Sequence, residues 1–512
     1  MKTFNKIFKT IFFFTIATLC SISCTEDYEN FNTDPTLLSE DQLDVGLLLT
    51  RVQKELFIDD WATPLSVFGN YAGYSSSAGN QPFSAGFFSD EFGGSYANLI
   101  NISEIIRLTK DDPEQVNKHA IAKILRVYIY QRLTDIYGDV PYSEAVQSVE
   151  NVIVQPKYDT QESIYLDMLN ELQLAAASLD ENAEAGFGGA DLVYGGDVDK
   201  WKKFANSLKL RLALRVIYSN QSLAADQING LLTSDLMGSN DDNAFVTTSE
   251  DLEGNRNPIY NQIISNGEIL AQLMGKTIID LLQEVDDPRL TIFALPTPNS
   301  IADAEANNDP SLLIYRGRPL GLEGSEEREH YVLNDLSQIG DFFRTPVLDL
   351  PVLNYSEVCF ALAEAKLVLG LGNEDADIWY KRGITANMEL YGIGADAISA
   401  FLSTPVGTLS GSTEEQLEQI LSQKNIALFP NAIEGWTEWR RTGFPRILIG
   451  SMIGETGGTI PRRINYPVEE GNINSANYQE VSERIGGDFL TTKVWWDTNT
   501  NVPYEHPGDI LD

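Results

Sequence analysis

The segment Ala120–Ala145 reads AIAKILRVYIYQRLTDIYGDVPYSEA, and it carries the clearest structural signal in the chain. Apolar side chains recur in it at helical spacing over about five turns, at Ile121, Ile124, Leu125, Tyr128, Ile129, Leu133 and Ile136. Gly138 and Pro141 follow. They end the helix because glycine accepts left-handed dihedrals, whereas proline cannot continue the hydrogen-bond ladder. The segment therefore predicts one long amphipathic helix that stops at a tight turn.

Other segments also predict helices. Residues 164–179 carry a second helical stripe, and 413–428 a further one. Residues 201–218 are ambiguous, because their leucines alternate as in a strand, but their length and their Ala, Lys and Arg content favour a helix buried on several sides. Residues 357–369 and 376–390 flank a short glycine-containing turn, and this hairpin resembles a tetratricopeptide unit. The prediction is an all-α fold.

Long loops rich in Gly, Ser, Asn and Pro separate the helices, at 60–97, 235–260, 292–345 and 441–512. Loops of this length inside a compact fold are usually functional or binding surfaces. A hinge-like linker is not visible beyond about residue 40. We therefore expect residues 39–512 to form a single domain.

The charge balance excludes one class of partner. The chain has 512 residues, with 36 Lys and Arg against 74 Asp and Glu, a net charge of −38. Such a chain repels phosphate backbones, so we expect no binding to nucleic acid. The hydrophobic content of 43% is that of an ordinary globular protein, which argues against disorder throughout.

The first residues look like an export signal. Lys2, Lys6 and Lys9 precede an apolar run of about nine residues, which is too short to span a bilayer. Cys24 follows small residues and resembles the lipid-bearing cysteine of a bacterial lipoprotein, with Cys20 the weaker candidate. We expect a signal peptide at 1–23 and a lipidated flexible tether at 24–38, although a plain secretory signal is the alternative.

A set of motifs in a fixed order identifies a family. The matching segments are 31–35 (FNTDP), 120–145, 156–165 (PKYDTQESIY), 191–197 (DLVYGGD), Trp201, 206–211 (NSLKLR), 287–289 (DPR), 364–365 (EA), 423–424 (QK), 436–443 (WTEWRRTG) and 461–467 (PRRINYP). In this order, over nearly all of the chain that follows the signal, they resemble the SusD/RagB family of outer-membrane nutrient-binding lipoproteins, in particular its SusD-like branch.

The resemblance implies a mainly α body of about four tetratricopeptide-like helical hairpins, with long irregular loops that form a ligand-binding face. It implies a non-catalytic lipoprotein, anchored in the outer membrane and facing the cell exterior. Family members capture oligosaccharides, or sometimes peptides, and pass them to a TonB-dependent outer-membrane barrel transporter (SusC-like). The acidic run Thr25–Glu29 resembles a surface-export signal of such lipoproteins, with a solvated tether as the alternative.

Sugars present apolar C–H faces and hydroxyl rims, so a site for them needs exposed aromatic rings beside hydrogen-bonding groups. The loop at 57–96 offers both. The candidate ligand-binding residues there are Trp61, Tyr71, Tyr74, Phe83 and Phe87, with Asn80 and Gln81. The candidates in the 314–344 loop are Tyr315 and Arg316, followed by Arg318 and Tyr331. The alternative is that most of these rings anchor the loops to the helices.

The sequence favours a protein without catalysis, cofactor or metal. His119, His330 and His506 are scattered, and no nucleophile elbow or phosphate-binding loop is present. A surface glycosidase stays as a third hypothesis, because 74 acids supply many possible carboxylate pairs. Residues 240–243 (NDDN) could hold Ca²⁺, but a solvated turn is preferred. Cys359 lies in an apolar run and is best interpreted as a small buried side chain.

Two arginine pairs, Arg440–Arg441 and Arg462–Arg463, are unusual in so acidic a chain. They could recognise acidic sugars or the transporter. The preferred interpretation is that they pair with carboxylates of their own scaffold.

Overall fold

A computed structural model describes residues 44–59, 62–76, 83–84, 91–147, 153–184, 186–268, 273–322, 324 and 329–500. The chain divides into two units, Met1–Val45 and Gly46–Asp512, and the second contains the helical body. The expected signal peptide (1–23) and tether (24–38), with Cys24, lie outside the described residues.

Helices dominate the fold, as predicted. Up to residue 307 they are α1 (Val45–Lys54), α2 (Ala62–Tyr71), α3 (Glu91–Thr109), α4 (Val116–Tyr137), α5 (Gln161–Ser178), α6 (Val198–Arg215), α7 (Gln221–Leu231), α8 (Pro258–Tyr260), α9 (Lys276–Gln283), α10 (Leu290–Phe293) and α11 (Pro298–Asn307). After it they are α12 (Tyr355–Leu369), α13 (Ala376–Leu390), α14 (Ala395–Leu402), α15 (Thr413–Leu428), α16 (Ala432–Thr442), α17 (Glu470–Ile473) and α18 (Ser475–Arg484).

Two small antiparallel sheets join distant loops. Strand β1 (Val140–Pro141) pairs with β2 (Tyr158–Asp159). Strand β3 (Ala244–Thr247) pairs with β4 (Asp349–Leu353), with Phe245 opposite Pro351. Within the described ranges, no helix combines the length and the apolar content that crossing a bilayer requires.

Four hairpins of consecutive helices form the body. They are α3–α4, α5–α6, α12–α13 and α15–α16, and the two helices of each pack against one another. Helix α4 also packs against α5, and α6 against α12, so the hairpins form a continuous stack. The structure confirms the all-α fold of tetratricopeptide-like hairpins that the sequence predicts.

The two helices with the clearest sequence patterns are buried more fully than a simple amphipathic helix. Helix α4 ends where predicted, and the Gly138 N–H donates to the Thr134 carbonyl at 2.7 Å. It is buried on several faces, because it lies between α3 and α5. Helix α6 explains the ambiguous leucines of 201–218: from Phe204 to Arg215 every residue is buried, so this part of the helix has no solvent-exposed face to give a simple amphipathic pattern. Asp197 caps this helix by accepting the Lys200 N–H.

A buried ion network reaches all four hairpins, since Arg215 also lies 3.8 Å from Asp135 of α4. Arg215 of α6 donates to Glu434 and, at 2.9 Å, to Glu438 of α16. Lys424 and Arg441 also contact Glu438, at 2.8 and 2.7 Å. Burial alone would raise the pKa of the Glu438 carboxyl, but the charges of its three cationic partners hold it well below the usual value. Further pairs join α6 and α16 to α12: Arg211 with Glu357, and Arg441 with Glu364.

The arginine pairs mostly neutralise the scaffold. Arg441 pairs with two glutamates of the network, Arg462 with Asp497 at 2.6 Å, and Arg463 with Asp488. These three are buried, which confirms the pairing interpretation for them. Arg440 differs, since it donates to the Arg462 carbonyl and lies 3.6 Å from the Trp436 ring centroid. Burial lowers the pKa of the Arg440 guanidinium to about 9.

Cys359 is fully buried in α12, as the sequence indicates. Burial raises the pKa of its thiol to about 12, so this thiol stays protonated and unreactive near neutral pH.

We expect Glu438→Gln to lower the free energy of unfolding by about 3–5 kcal/mol, because it leaves three buried cations without their shared carboxylate. Urea unfolding followed by circular dichroism measures the change. The matched control is Glu480→Gln on α18, where an exposed carboxylate pairs with Arg484, and the expected loss is below about 1 kcal/mol. Equal losses in the two variants would contradict a stabilising role for the network.

Candidate functional site

Three rings that the sequence predicts to be exposed are buried. Tyr71, Tyr74 and Phe83 have no solvent-exposed surface. The prediction of exposure is therefore wrong for them, and as they stand they cannot stack on a ligand. The anchoring alternative is the one that the structure supports at these positions.

Each buried ring has a definite partner. The Tyr71 ring centroid lies 5.7 Å from that of Trp436. The Tyr74 hydroxyl donates to the Asn425 carbonyl at 2.7 Å, and its ring packs edge-on against Phe429. These contacts join the end of α2 and the residues directly after it to hairpin α15–α16. Residues 62–71, which the sequence places in a predicted loop, form a helix, so that part of the loop prediction is wrong. Sequence composition could not predict the burial of these rings, because aromatic residues occur both in surfaces that stack on sugars and in hydrophobic cores.

Phe83 fits against two loops from the second half of the chain. A Cβ added at Gly321 would lie 2.5 Å from the Phe83 ring, and Gly321 also has a positive φ of 68°. The Phe83 carbonyl accepts the Glu455 N–H at 2.8 Å. This close fit leaves no room for a ligand at the ring.

The remaining early-loop candidates are Trp61, Asn80, Gln81 and Phe87. They lie outside the described residues, and their role in ligand binding stays a prediction.

The structure brings together the two loops that carry the candidate residues. Ser76 donates its N–H to the Leu273 carbonyl at 3.0 Å and its hydroxyl to the Pro319 carbonyl at 2.8 Å. The Arg318 guanidinium donates to the Ser76 hydroxyl at 2.8 Å. Segments 73–76, 273–276 and 316–320 are thereby joined, and we call them the loop junction.

Gly317 makes the loop junction possible. A Cβ at this position would lie 2.4 Å from the Gly275 carbonyl oxygen and 2.4 Å from the Lys276 Cα atom. The backbones therefore meet at a distance that only glycine allows. The Arg318 N–H donates to Met274 O, and the Lys276 N–H to Arg318 O, on either side of this contact.

The candidates of the later loop divide into two groups. Tyr315 and Arg316 are half-buried, so both keep surface available to a ligand. Arg318 and Tyr331 are buried, at 4% and 3% exposure, and act as supports. The Arg316 guanidinium lies 4.7 Å from the Tyr331 ring centroid, which fixes its position over that ring.

An aromatic cleft, which we call the Phe342 cleft, lies between β4, α13 and the end of the 292–345 loop. Its volume is about 380 Å³. The lining residues are mostly apolar: Phe245, Phe342, Phe343, Thr345, Val347, Leu348, Asp349, Leu350, Pro351, Leu390, Tyr391 and Pro430. Phe342 is 40% exposed, so part of its ring is accessible to solvent at the cavity.

The ring of Phe342 is held by its neighbours. Its centroid lies 5.1 Å from that of Phe343 and 5.3 Å from that of Tyr391, both edge-on. Phe343 and Tyr391 pack in turn on Phe293. At the rim, the Thr247 hydroxyl donates a hydrogen bond of 2.6 Å to the Oδ1 atom of Asp349. The cleft therefore combines a fixed, exposed ring with a carboxylate and hydroxyls at its edge.

Phe342 is absent from the ligand contacts predicted from the sequence, although it belongs to a loop that was predicted to bind. The available signal was the pair Phe342–Phe343 in a polar loop, where one ring is buried and the other exposed. A pattern of two adjacent rings in an irregular segment gives no period from which to tell which one faces solvent.

The fold and the site together define a class: a tetratricopeptide-like helical protein whose long loops carry the candidate binding surface. The family model described as "SusD-like_2: Starch-binding associating with outer membrane" matches residues 36–467. The chain belongs to this SusD-like family. The family is one associated with the outer membrane.

Solved structures with the same fold include SusD homologs. A structure titled "chitin-binding protein" is 31% identical, covers 89% of this chain and 100% of its own, and superposes with a TM-score of 0.76. A SusD homolog from Bacteroides uniformis is 26% identical, with 89% and 99% covered and a TM-score of 0.73. A chitin-binding SusD homolog from Flavobacterium johnsoniae, at 24% identity, covers 88% and 98% with a TM-score of 0.73 and shares the fold. No curated protein matches the chain.

We expect Tyr74→Phe to lower the free energy of unfolding by about 1–3 kcal/mol, because the buried Asn425 carbonyl loses its donor. Ligand binding should not change, since this ring is inaccessible. Chemical unfolding and a binding titration on the same sample check both points. The matched control for stability is Tyr315→Phe at a half-buried tyrosine, with an expected change within about 0.5 kcal/mol. Weaker ligand binding by a stable Tyr74→Phe variant would contradict the anchoring role.

Proposed function

We propose that this protein is a non-catalytic, lipid-anchored protein of the cell surface that captures oligosaccharides and delivers them to a partner TonB-dependent outer-membrane transporter. The observation that carries the proposal is the family match over residues 36–467, whose description names starch binding and the outer membrane. The lipid anchor, the outward orientation and the transporter are parts of the proposal, drawn from the resemblance.

The Phe342 cleft supports the proposed binding chemistry. An exposed ring offers a flat apolar surface for the C–H face of a pyranose, and Asp349 and Thr345 at the rim can bond its hydroxyls. Phe343 and Tyr391 hold the ring in place before a ligand arrives, so little side-chain freedom is lost on binding.

Tyr315 and Arg316 on the 314–344 loop are proposed as a second contact. Arg316 stacks on Tyr331 and presents guanidinium N–H donors in a fixed plane. Trp61, Asn80, Gln81 and Phe87 remain proposed ligand-binding residues of the early loop.

The first ligand to test is an oligomer of N-acetylglucosamine. A relative with 31% identity bears the name chitin-binding protein. The acetamido methyl of this sugar suits an apolar cleft, and its N–H suits a carboxylate such as Asp349. A long apolar lining would also accept peptide side chains, so peptides are the alternative ligand class.

The cleft argues against glycoside hydrolysis at this site. Hydrolysis needs two carboxyl groups about 5–10 Å apart. Among the described residues that line the cleft, Asp349 is the one carboxylate. We therefore propose that the sugar leaves the protein unaltered.

We expect the protein to be retarded in native gels that contain glycol chitin or a related soluble polysaccharide, without release of reducing ends. Phe342→Ala should weaken the retardation about ten-fold or more, because it removes the stacking surface. Titration of the polysaccharide concentration gives the affinity. Tyr315→Ala tests the second contact in the same gel.

The matched control is Phe489→Ala, which removes an exposed ring outside the cleft. Its retardation should equal that of the unchanged protein. Equal retardation of the Phe342→Ala variant would exclude the cleft. Retardation by a peptide mixture alone, or release of reducing ends, would favour the alternative ligand class or an enzyme.

We expect Cys24→Ala to release the protein from membranes, because the acylated thiol is its proposed attachment. Fractionation of cells and immunoblotting measure the membrane-bound share. Cys20→Ala should stay membrane-bound and serves as the control. Membrane pelleting of the Cys24→Ala variant at an unchanged level would refute the anchor.

A further inference from the structure

A polar cleft between α5, α6 and α7 has no part in the proposed glycan surface. Its volume is about 380 Å³, near the lower end of small-molecule sites. The residues that line it are Gln173, Ala176, Ala177, Lys202, Asn206, Lys209, Gly230, Leu231, Thr233, Ser234 and Asp235, the last five at the end of α7 and directly after it. It shares no lining residue with the Phe342 cleft.

Lys209 is the unusual residue of this cleft. It is 5% exposed, and its Nζ donates to Gln173 Oε1 at 2.9 Å. Over the described ranges, no carboxylate lies within salt-bridge distance of it. Lys424, also buried, differs because it contacts Glu438 at 2.8 Å. Burial lowers the pKa of the Lys209 ammonium, in line with its lack of a counter-charge among those residues.

A buried ammonium with one amide partner is costly to a fold. Removing a charge from water is offset only when an opposite charge or a full set of hydrogen bonds replaces the water. An ammonium has three N–H donors, and Gln173 is the acceptor that the described residues supply to Lys209. The remaining donors are therefore available to an occupant of the cleft.

A second cation lies on the same face of α6. Lys202 precedes Lys209 by two helical turns and is half-buried in the cleft wall. In the described part of the chain it too has no ion-pair partner. The Asn206 amide between them donates to the Asp235 carbonyl at 3.0 Å, which positions its oxygen end. Thr233 and Ser234 supply exposed hydroxyls.

Two ammonium groups without an ion-pair partner among the described residues are notable in a chain with a net charge of −38. The field of the whole protein repels anions, so an anion that binds here must be selected by local contacts. The one acid of the lining, Asp235, is exposed and lies beyond ion-pair distance of either lysine within the described residues. The cleft is thus locally positive.

We propose that this cleft binds a small organic carboxylate of the size of a hexuronic acid. The carboxylate lies between the ammonium groups of Lys202 and Lys209. Gln173, Asn206, Thr233 and Ser234 bond the hydroxyls of the ring, and Ala176 and Ala177 leave space for it. The protein would then recognise an acidic sugar at a place separate from its proposed glycan surface.

The test is calorimetric titration of the purified full-length protein with sodium glucuronate at low, constant ionic strength. Glucuronate should bind and glucose should not. In 0.5 M NaCl the screening length falls to roughly 4 Å, so the heat of glucuronate binding should disappear. Lys209→Met should weaken binding about ten-fold or more, because charge-assisted hydrogen bonds are lost. Lys202→Met should weaken it in the same direction.

The matched control is Lys157→Met, which removes an exposed lysine elsewhere and should leave binding unchanged. Thermal unfolding verifies that each variant is folded, and Lys202→Met provides the test if Lys209→Met does not fold. Absence of heat with glucuronate, equal affinity in folded Lys209→Met, or binding of inorganic phosphate in place of glucuronate would each overturn the proposal.

Discussion

One shared buried carboxylate, Glu438, and the cations that surround it link three helices of the body. Arg215 reaches it from α6, Lys424 from α15, and Arg441 from its own helix. Apolar contacts stabilise the stack through close packing, but they have no donor or acceptor that requires a particular partner. Three cations from three helices converge on this carboxylate, and we expect a slip of one helix to separate some of these pairs, so that the network favours one register of the hairpins.

Several arginines lie inside the protein, each beside a carboxylate. Arg211, Arg215 and Arg441 pair with glutamates, and Arg462 and Arg463 pair with Asp497 and Asp488. The chain as a whole has a net charge of −38. A ligand that approaches the protein therefore meets a negative surface. That favours neutral ligands at the Phe342 cleft and makes the ammonium groups of Lys202 and Lys209 chemically distinct from their surroundings.

The helical body could be predicted from the sequence because periodicity reports burial directly. The α4 stripe and the Gly138 stop marked the end of that helix to within a residue, and the α12–α13 hairpin followed from two periodic segments around a turn.

The exposure of loop rings could not be predicted. Tyr74 and Phe342 have the same kind of local sequence, and what separates them is contact with Asn425 and Phe429 in one case and an open cleft in the other. Those partners are hundreds of residues away from Tyr74, and no short-range pattern encodes them. The lining of a polar cleft by Lys209 could not be predicted either. This lysine stands between Leu208 and Leu210 in a buried helix, where the local sequence indicates core packing.

The glycine contact at the loop junction restricts how the protein can work. The Gly317 backbone lies against Gly275, with hydrogen bonds on both sides, so segments 73–76 and 316–320 cannot separate without breaking several bonds at once. Under the proposed function, the backbone of Arg316 therefore keeps its place relative to segment 73–76 whether a sugar is bound or absent.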